Sequence, residues 1–570
     1  MNIDHTRTSL LSPLGLKTLE DRYLLEGEKP QDLFARVAGA FADDCSHAQR
    51  LYDYMSMLWF MPATPILSNG GTDRGMPISC FLNEVEDSLE GIVDTWNQNV
   101  WLSAKGGGIG TYWGNVRSIG ESVRKAGETS GVIPFIHVQD SLTLAISQGS
   151  LRRGAAAVYL PVNHPEIEEF LEIRKASGDF NRKGLNLNHG ICVTDAFMYA
   201  VEKGCDFALQ SPVNGDILKI VDARELWQRI LETRLQTGEP YLLFIDTVNK
   251  AIPQHHKDQG LYVRTSNLCS EITLPTNSAR TAVCCLASLN LETWDEWKDN
   301  DFIVEDILRM LDNVLTTFIK NTNVYKAAYS ASQERSVGLG VMGFHSFLQA
   351  RGLPFESVLA KSWNRRIFRE LKAKADAASK KLAQEKWPCE DAEATGTMER
   401  FSNKIAIAPT ASISIICGGA SPGIEPFPAN IYNHKTLSGS FTVKNQYLEA
   451  TLACRGEDTE ATWQSIIENE GSVQHLPFLT KKEKDIFKTA FEIDQRWIID
   501  LAADRTPFIC QSQSLNLFLP SNVSKHDLHG LHFSAWEKGI KSLYYVRSRS
   551  ASQAEFVGET KNYEECLSCQ

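Results

Sequence analysis

Asn267-Leu268-Cys269-Ser270-Glu271 is the stretch on which the fold assignment depends. In an extended strand, the side chains of positions 267, 269 and 271 share one face, because strand side chains alternate. An amide, a thiol and a carboxylate would then lie together. The amide both donates and accepts hydrogen bonds, and the carboxylate is a suitable general base. A buried structural cysteine between turn residues is the alternative that this pentapeptide alone leaves open.

Other cysteines also lie in contexts that suggest chemistry. Cys80 begins an apolar run, Cys284 lies beside Cys285 in a second one, and Cys566 and Cys569 lie on an acidic C-terminal segment. A dithiol on a tail and a buried dithiol indicate an enzyme that carries reducing equivalents inward. Zinc is the alternative for the tail pair, but a structural zinc takes four ligands and the sequence has no second Cys-x-x-Cys.

The composition is that of a globular protein, with 570 residues, 43% hydrophobic and 22% charged, and a net charge of −12. The negative charge disfavours a nucleic-acid partner, because such proteins neutralise phosphates with basic residues. No apolar run is long enough to cross a bilayer, and the first residues carry no signal pattern. These features, with thirteen irregularly spaced cysteines, predict a cytoplasmic protein without a membrane partner.

Helix and strand patterns alternate along the chain and predict the α/β class. The segment from Thr18 to Phe60 has apolar residues at helical spacing. Val304 to Lys320 and Val358 to Trp387 are the clearest long helices, and the second has a polar face typical of a surface helix. Strands are predicted at 78–85, 154–162, 187–193, 404–408, 512–519 and 543–547.

Three further motifs have open interpretations. Residues 409–412, Pro-Thr-Ala-Ser, follow a predicted strand and begin a possible helix, whose free N–H groups suit a phosphate; a plain N-cap explains them equally well. Residues 106–110, Gly-Gly-Gly-Ile-Gly, lack the ending of a P-loop and indicate close backbone approach. Tyr544 and Tyr545, if on a strand, should face opposite sides, one in the core and one at the surface.

Taken together and in this order, the motifs resemble the catalytic large (alpha) subunit of class I ribonucleotide reductase. The resemblance runs from about Leu14 to Val557. It implies a ten-stranded α/β barrel of two antiparallel five-stranded halves with a central finger loop. The matching stretches are 61–65, 79–82, 107–110, 148–153, 267–271, 282–284, 409–412, 424–426, 511–516 and 543–545.

The resemblance implies three parts: an N-terminal helical region at 1–62, a barrel catalytic domain with effector-binding loops at 63–552, and a flexible redox-active tail at 553–570. Many relatives carry a further N-terminal domain, the ATP-cone, that senses ATP and dATP. Here the helical pattern begins almost at once. We therefore expect that domain, and overall inhibition by dATP through it, to be absent.

The resemblance also implies catalytic roles. Cys269, at the finger tip, becomes a transient thiyl radical and removes the 3′ hydrogen of the ribose. Glu271 takes the 3′-hydroxyl proton, and Asn267 holds the 2′ and 3′ hydroxyls. Cys80 and Cys284 supply two electrons and a proton as the 2′-hydroxyl leaves, and they end as a disulfide.

Cys284 is preferred to Cys285 in that role because it keeps the spacing of the family. The resemblance implies that the tail thiols Cys566 and Cys569 reduce the buried disulfide. Thioredoxin or glutaredoxin would then reduce the tail.

Tyr544 and Tyr545 match a stacked pair that relays the radical from a separate small (beta) subunit. The radical metallocofactor would reside in that partner, so we expect no covalently bound cofactor and no metal site on this chain. An adenosylcobalamin-dependent or atypical reductase, in which the tyrosines only pack, is the first alternative. A nucleotide-binding protein without catalysis and a thiol oxidoreductase with a zinc-binding tail are more remote.

The expected substrates are ribonucleoside diphosphates. Besides Asn267 and Glu271, the residues that match substrate-contacting positions are Thr64, Ser79, Gly108, Thr410, Ala411, Ser412 and Ile413. A deoxynucleoside triphosphate or ATP, with Mg²⁺, is expected at a specificity site in the interface of a homodimer. The residues that match that site are Asp87, Arg117, Gln148 and Arg153.

Overall fold

The computed structural model describes residues 1–123, 127–148, 152–175, 177–436 and 439–548. Its N-terminal region is helical, as predicted. Its helices are Pro13–Arg22, Pro30–Phe41 and Cys45–Ser56. The second helix buries Leu33, Phe34 and Val37, one apolar stripe at helical spacing. This stripe belongs to the main hydrophobic core, so the helical region packs directly on the rest of the protein.

Five parallel strands form the first half of the central sheet. Their apolar sequences, such as Ala-Ala-Ala-Val-Tyr-Leu-Pro at 155–161, are typical of parallel strands buried on both faces. In spatial order, the strands are Cys80–Glu84, Gly108–Tyr112, Ala155–Pro161, Asn188–Val193 and Tyr241–Phe244.

The second half begins with the strand Ala282–Asn290, which pairs in parallel with Val337–Met342. Parallel bridges from Leu339 to Ile405 and from Ile407 to Gln513 continue the sheet through two irregular segments. The next strands, Leu517–Leu519 and Val546–Ser548, are also parallel to each other.

The two halves meet twice, and both junctions are antiparallel. Ala282–Asn290 pairs with Cys80–Glu84 at one side, and Ser542–Leu543 pairs with Tyr241–Phe244 at the other. The five members of the second half are residues 282–290, 337–342, 405–407, 513–519 and 542–548. With the five parallel strands of the first half, they form a closed ring among the described residues. This arrangement confirms the predicted α/β barrel.

Side-chain alternation along the barrel strands separates an inner face from an outer one. Cys80, Leu82 and Cys284 lie in an inner cluster, whereas Phe81 and Cys285 belong to the outer core beneath the helices. The two halves thus enclose a chamber.

The two long helices of the second half extend from Ile303 to Asn321 and from Val358 to Lys386, within one residue of the predicted ends. In the described part of the chain, we find no helix with the length and apolarity that a membrane crossing needs. The other helices are Thr64–Asn69, Leu89–Ala104, Ile133–Ala145, Ile167–Phe170, Asp195–Lys203, Ala223–Thr237, Ile245–Ala251, Gln254–Asp258, Trp294–Trp297, Tyr325–Glu334, Phe344–Ala350, Glu390–Glu393, Ile413–Ile416, Gln446–Arg455, Glu460–Glu468, Lys481–Ile486, Gln495–Arg505 and Lys525–Glu537.

Short strands complete the described structure. Phe60–Pro62 adds to the barrel beside Ala282–Asn290. The remaining strands form two-stranded hairpins: Ser122–Val123 with Gly127–Glu128, Ser147–Gln148 with Arg152–Arg153, Asp206–Gln210 with Ile217–Asp222, and Ile431–Thr436 with Gly439–Lys444.

Candidate active site

A loop that we call the finger, residues 263–274, passes through the barrel interior. Its residues Leu268 and Cys269 pack in one inner cluster, and Ile272 and Leu274 pack in the other. Gly110 allows the passage, because a Cβ atom at this position would lie 1.8 Å from the carbonyl oxygen of Ser266. The glycine cluster that sequence analysis associated with close backbone approach therefore accommodates the finger.

Barrel residues hold the tip of the finger by donating hydrogen bonds to its carbonyl oxygens. Because the donors come from both halves of the barrel, the tip is fixed only when the ring is closed. The bonds run from Tyr159 Oη to Asn267 O (2.8 Å), from Ser514 Oγ to Cys269 O (2.6 Å), from Ser542 Oγ to Ser270 O (2.7 Å) and from Ser512 N to Glu271 O (2.8 Å).

The finger tip is a turn, so the extended strand considered for residues 267–271 is wrong. Ser270 has a φ of 67°, and its N–H lies 3.3 Å from the carbonyl oxygen of Asn267. Asn267 Oδ1 accepts hydrogen bonds of 3.1 Å from the N–H groups of Glu271 and Ile272. The asparagine side chain thus stabilises the turn, and its amide nitrogen is left to face the barrel wall.

That amide nitrogen meets the first of two facing thiols. Asn267 Nδ2 lies 3.2 Å from Cys80 Sγ, and Gln511 Nε2 lies 3.6 Å from Cys284 Sγ. Cys80 and Cys284 are direct partners in the antiparallel junction. Directly opposed residues of such a pair have Cα atoms about 4.5–5.5 Å apart, which is within the range that a disulfide spans.

The neighbouring thiol Cys285 faces the other way. Its Sγ lies 3.5 Å from the carbonyl oxygen of Leu311, in the helix Ile303–Asn321. Burial raises the pKa of the Cys284 thiol well above its ordinary value, so this sulfur keeps its proton at neutral pH. The structure therefore presents a protonated Cys284, and not Cys285, to the chamber.

Glu271 and Cys269 are fully enclosed in the barrel interior. Glu271 is 0% and Cys269 1% exposed, and Ser514 Oγ lies 3.3 Å from Glu271 Oε2. Ser514 Oγ donates its short 2.6 Å hydrogen bond to the carbonyl oxygen of Cys269, so this serine lies between the two residues. The amide, thiol and carboxylate of the original pentapeptide do share one chamber, although through a turn.

The rings of Tyr544 and Tyr545 pack against each other, with centroids 4.3 Å apart and ring planes inclined at 53°. The expectation that they face opposite sides is wrong because the strand stops at Leu543 and resumes at Val546. Tyr544 is buried in the same inner cluster as Cys269, whereas Tyr545 is only partly buried at its edge. Tyr544 therefore lies inside the cluster that contains Cys269, and Tyr545 lies at the more accessible edge of that cluster.

The residues matched to substrate contacts lie around the chamber. Ser79 Oγ is buried and has no hydrogen-bond partner among the described residues, whereas Thr64 Oγ1 lies 2.8 Å from Tyr23 Oη. The N–H of Gly108 binds the carbonyl oxygen of Ser79 at 2.8 Å. Thr410 has a φ of 56° and accepts a 2.7 Å hydrogen bond from the N–H of Gly423.

Residues 411–413 turn from Thr410 into the short helix Ile413–Ile416. The first N–H groups of a helix have no acceptor within it, so they are available to a ligand. This placement is consistent with the phosphate interpretation.

Asp87 and Arg117, matched to the effector site, form an ion pair with Arg117 Nη2 2.6 Å from Asp87 Oδ2. Gln148 and Arg153 lie on the paired strands of one hairpin, and the structure describes their backbone only. Cys566 and Cys569 lie outside the described residues.

Sequence reasoning assigned no role to several residues that shape this site. Tyr241 contacts both tyrosine rings, with centroid distances of 4.8 Å to Tyr544 and 5.1 Å to Tyr545. Gln511 and Ser514 contact Cys284 and the finger. For Gln511 and Ser514, the only signal in the sequence was the matching stretch 511–516. Tyr241 is a single tyrosine in an apolar strand, and such a residue gives no signal of function.

Two family models match the chain. The model described as "Ribonucleotide reductase, barrel domain" matches residues 78–397 and 390–546, and "Ribonucleotide reductase, all-alpha domain" matches residues 9–75.

Named relatives cover most of the chain. A ribonucleoside-diphosphate reductase large subunit of Invertebrate iridescent virus 3 is 40% identical over 638 residues, covering 100% of both chains. The large chain of this reductase from Schizosaccharomyces pombe is 33% identical over 606 residues, covering 95% of this chain and 74% of its own.

Among solved structures, the class Id ribonucleotide reductase alpha subunit of Actinobacillus ureae superposes with a TM-score of 0.86 at 34% identity, covering 96% of this chain and 99% of that one. These relatives give no support to the adenosylcobalamin-dependent alternative. In class I enzymes the radical is generated by a separate small subunit. The chain belongs to the ribonucleotide reductase family, as a large subunit whose activity is ribonucleoside-diphosphate reduction.

Proposed function

We propose that Cys269 carries the thiyl radical of this reductase and that Cys80 and Cys284 are its internal dithiol. One observation carries the proposal: the finger tip contacts the dithiol, with Asn267 Nδ2 3.2 Å from Cys80 Sγ and Cys80 directly opposite Cys284. A radical must be kept from water and stray reductants, and all of these side chains are buried.

The first step abstracts a hydrogen atom from the ribose. The Cys269 thiyl takes the 3′ hydrogen, which forms the Cys269 S–H bond and leaves a radical on C3′. Glu271 takes the 3′-hydroxyl proton as general base. Asn267 holds the 2′ and 3′ hydroxyls; its Nδ2 faces the chamber because its Oδ1 is occupied by the turn.

The next steps remove the 2′-hydroxyl. The C2′–O bond breaks, and the hydroxyl leaves as water with a proton from the dithiol. The second dithiol hydrogen forms the new C2′–H bond, and Cys80 and Cys284 give two electrons as their S–S bond forms. Glu271 returns its proton to the 3′ oxygen. Cys269 then returns its hydrogen to C3′ and becomes a thiyl again. The protonated state of Cys284 supports this role, because the departing hydroxyl needs a proton.

Substrate binding is proposed at the residues around the chamber mouth. The buried Ser79 hydroxyl lacks a partner among the described residues, and a ribose hydroxyl would satisfy it. Thr64, Gly108 and the turn at Thr410, Ala411, Ser412 and Ile413 would hold the rest of the nucleotide, with the diphosphate at the backbone N–H groups of that turn.

Radical entry is proposed through Tyr545 and then Tyr544. The half-buried ring comes first and the buried one, packed with Cys269, comes second. The small subunit would supply the oxidising radical from its metal centre. The tyrosines would pass it as a hydrogen atom, and each phenol is restored when the radical moves on.

Replacing both Cys566 and Cys569 with serine should limit the enzyme to about one turnover per active site with a protein reductant such as thioredoxin or glutaredoxin. The buried disulfide would form once, and a protein reductant is too large to reach it. Rapid-quench product counting measures this burst. Cys454→Ser is the matched control, because it changes an exposed cysteine that lies outside the C-terminal tail. Sustained turnover by the double variant would contradict the shuttle.

An effector site at Asp87, Arg117, Gln148 and Arg153 is proposed to lie in a homodimer interface. Apolar side chains of two neighbouring helices are exposed and would be covered there: Leu89, Val93, Trp101, Val138 and Leu144. Mg²⁺ would enter on the phosphates of a deoxynucleoside triphosphate or ATP.

Sedimentation at micromolar concentration with added deoxynucleoside triphosphate should show a dimer. Leu144→Asp places a charge on the apolar surface and should shift the protein towards monomer. A wild-type monomer under these conditions would exclude the interface.

The activity itself is tested by measuring cytidine diphosphate reduction with and without a radical-generating small subunit. We expect activity only with that subunit. Activity with adenosylcobalamin alone would overturn the relay.

The domain limits 1–62, 63–552 and 553–570, and a cytoplasmic location, stay proposals from the family.

A further inference from the structure

A buried polar network adjoins the outer tyrosine and has no part in the mechanism above. Asn188 Nδ2 lies 3.0 Å from Tyr545 Oη and also donates a hydrogen bond to Glu239 Oε1. The other carboxylate oxygen, Glu239 Oε2, accepts from the backbone N–H of His189 at 2.9 Å and lies 3.0 Å from His189 Nδ1. Arg174 Nη2 lies 3.8 Å from Glu239 Oε1.

Strand register brings these residues together. Tyr241 is the partner of Gly190 in the parallel pair Tyr241–Phe244 and Asn188–Val193. Asn188 comes two residues before Gly190 on its strand, and Glu239 comes two residues before Tyr241, just ahead of the strand Tyr241–Phe244. The hydrogen bond between them shows that the two residues lie side by side, and His189 follows Asn188. Glu239 is 1% exposed and His189 0%, so water does not compete for the bonds between these two residues, whereas Asn188 and Tyr545 are half-buried.

The protonation states of this network fix the orientation of the Asn188 amide. Burial raises the pKa of the Glu239 carboxyl, but Arg174 and His189 lower it by more, so the net pKa lies below its ordinary value and the group is ionised. Burial lowers the pKa of His189, which stays neutral and donates through Nδ1. An ionised carboxylate only accepts hydrogen bonds, so Asn188 must turn its Nδ2 towards it.

We propose that Asn188, oriented by Glu239, is a positioning residue that donates a hydrogen bond to the phenolic oxygen of Tyr545 during radical transfer. The inference rests on the proposed relay. The oxygen of Tyr545 accepts this bond both as a phenol and as a neutral tyrosyl radical. The amide can therefore hold the ring against Tyr544 in both states.

The transfer balances without a further reactant. A hydrogen atom passes from the Tyr544 phenol to the Tyr545 radical, which restores the O–H bond of Tyr545 and leaves the radical on Tyr544. Asn188 gains and loses no proton. Asn188 holds the phenolic oxygen of Tyr545 in one place. It also keeps its own Oδ1, which only accepts hydrogen bonds, turned away from that oxygen.

The test replaces Asn188 with leucine, which has a similar size but no donor. We expect turnover with the small subunit to fall roughly tenfold, the effect of one neutral hydrogen bond on a barrier, with KM for cytidine diphosphate unchanged. High-field electron paramagnetic resonance of a 3-aminotyrosine placed at position 545 gives the specific signature. Loss of the hydrogen bond should raise the g component along the C–O bond.

Asn186→Leu is the matched control, because Asn186 makes the same kind of amide-to-carboxylate bond, to Asp140 at 2.8 Å, without touching a tyrosine. If Asn188→Leu does not fold, Glu239→Gln serves instead. A neutral partner no longer demands a donor, so the Asn188 amide can turn either way and the resonance should split into two species.

Tyr545→Phe distinguishes a failure of the proposed relay from a failure of the proposed role of Asn188. If this variant stays active, the relay fails and the inference fails with it. If it is inactive but Asn188→Leu keeps the wild-type turnover and g values, the relay stands and the role of Asn188 is rejected.

Discussion

Cys269→Ser is expected to reduce turnover by at least about 10⁴-fold, the scale seen when a residue that performs the chemistry is removed. An alcohol O–H bond is stronger than a thiol S–H bond, so serine does not yield its hydrogen atom to the radical path. The finger should keep its shape because its tip is held through backbone carbonyls, including that of residue 269. Cytidine diphosphate reduction measures the loss, and calorimetric titration with the nucleotide should show unchanged binding.

Cys285→Ser is the matched control for this prediction. It makes the same atomic change at the same degree of burial, but its side chain binds Leu311 on the outer face of the barrel. We expect it to keep activity. Full turnover by Cys269→Ser would reject the finger cysteine as the radical site, and loss of turnover by both variants would point to a folding defect.

Tyr544→Phe is expected to lower turnover by at least about 10³-fold, which corresponds to about 4 kcal/mol in the barrier. Phenylalanine keeps the ring that packs against Tyr241 and Tyr545 but lacks the phenolic hydrogen that the relay transfers. Turnover with the small subunit measures the effect, while the thermal midpoint should change little.

Tyr112→Phe makes the same change in the same packed cluster, at a residue with no part in the relay, and should stay active. Near-normal turnover by Tyr544→Phe would show that the radical reaches Cys269 by another route. Equal losses in both variants would indicate general damage to the cluster.

The parts of the fold that sequence predicted are those set by local pattern. The predicted ends of the helices at 303–321 and 358–386 lie within one residue of the observed ends, because the spacing of hydrophobic residues determines these helices. The irregular segment around Ile405 was expected as a full strand, but it joins its neighbours only through isolated bridges.

The site depends on contacts between distant segments, which local pattern does not contain. The turn at Ser270 is held by the side chain of Asn267 and by a serine from the last barrel strand. The contact between the rings of Tyr544 and Tyr545 needs the strand break. Asn516 stabilises this break by accepting a 3.0 Å hydrogen bond from the N–H of Tyr545. Only the family resemblance predicted that these residues act together.

The strand Ser542–Leu543 and the residues that follow it have a consequence for biogenesis. This segment closes the ring against Tyr241–Phe244, binds the finger through Ser542 and leads directly into the tyrosine pair. It is also the last part of the barrel to leave the ribosome. A partly synthesised chain would therefore lack both an enclosed Cys269 and the proposed tyrosine relay, so the proposed radical chemistry could not start before the barrel wall is complete.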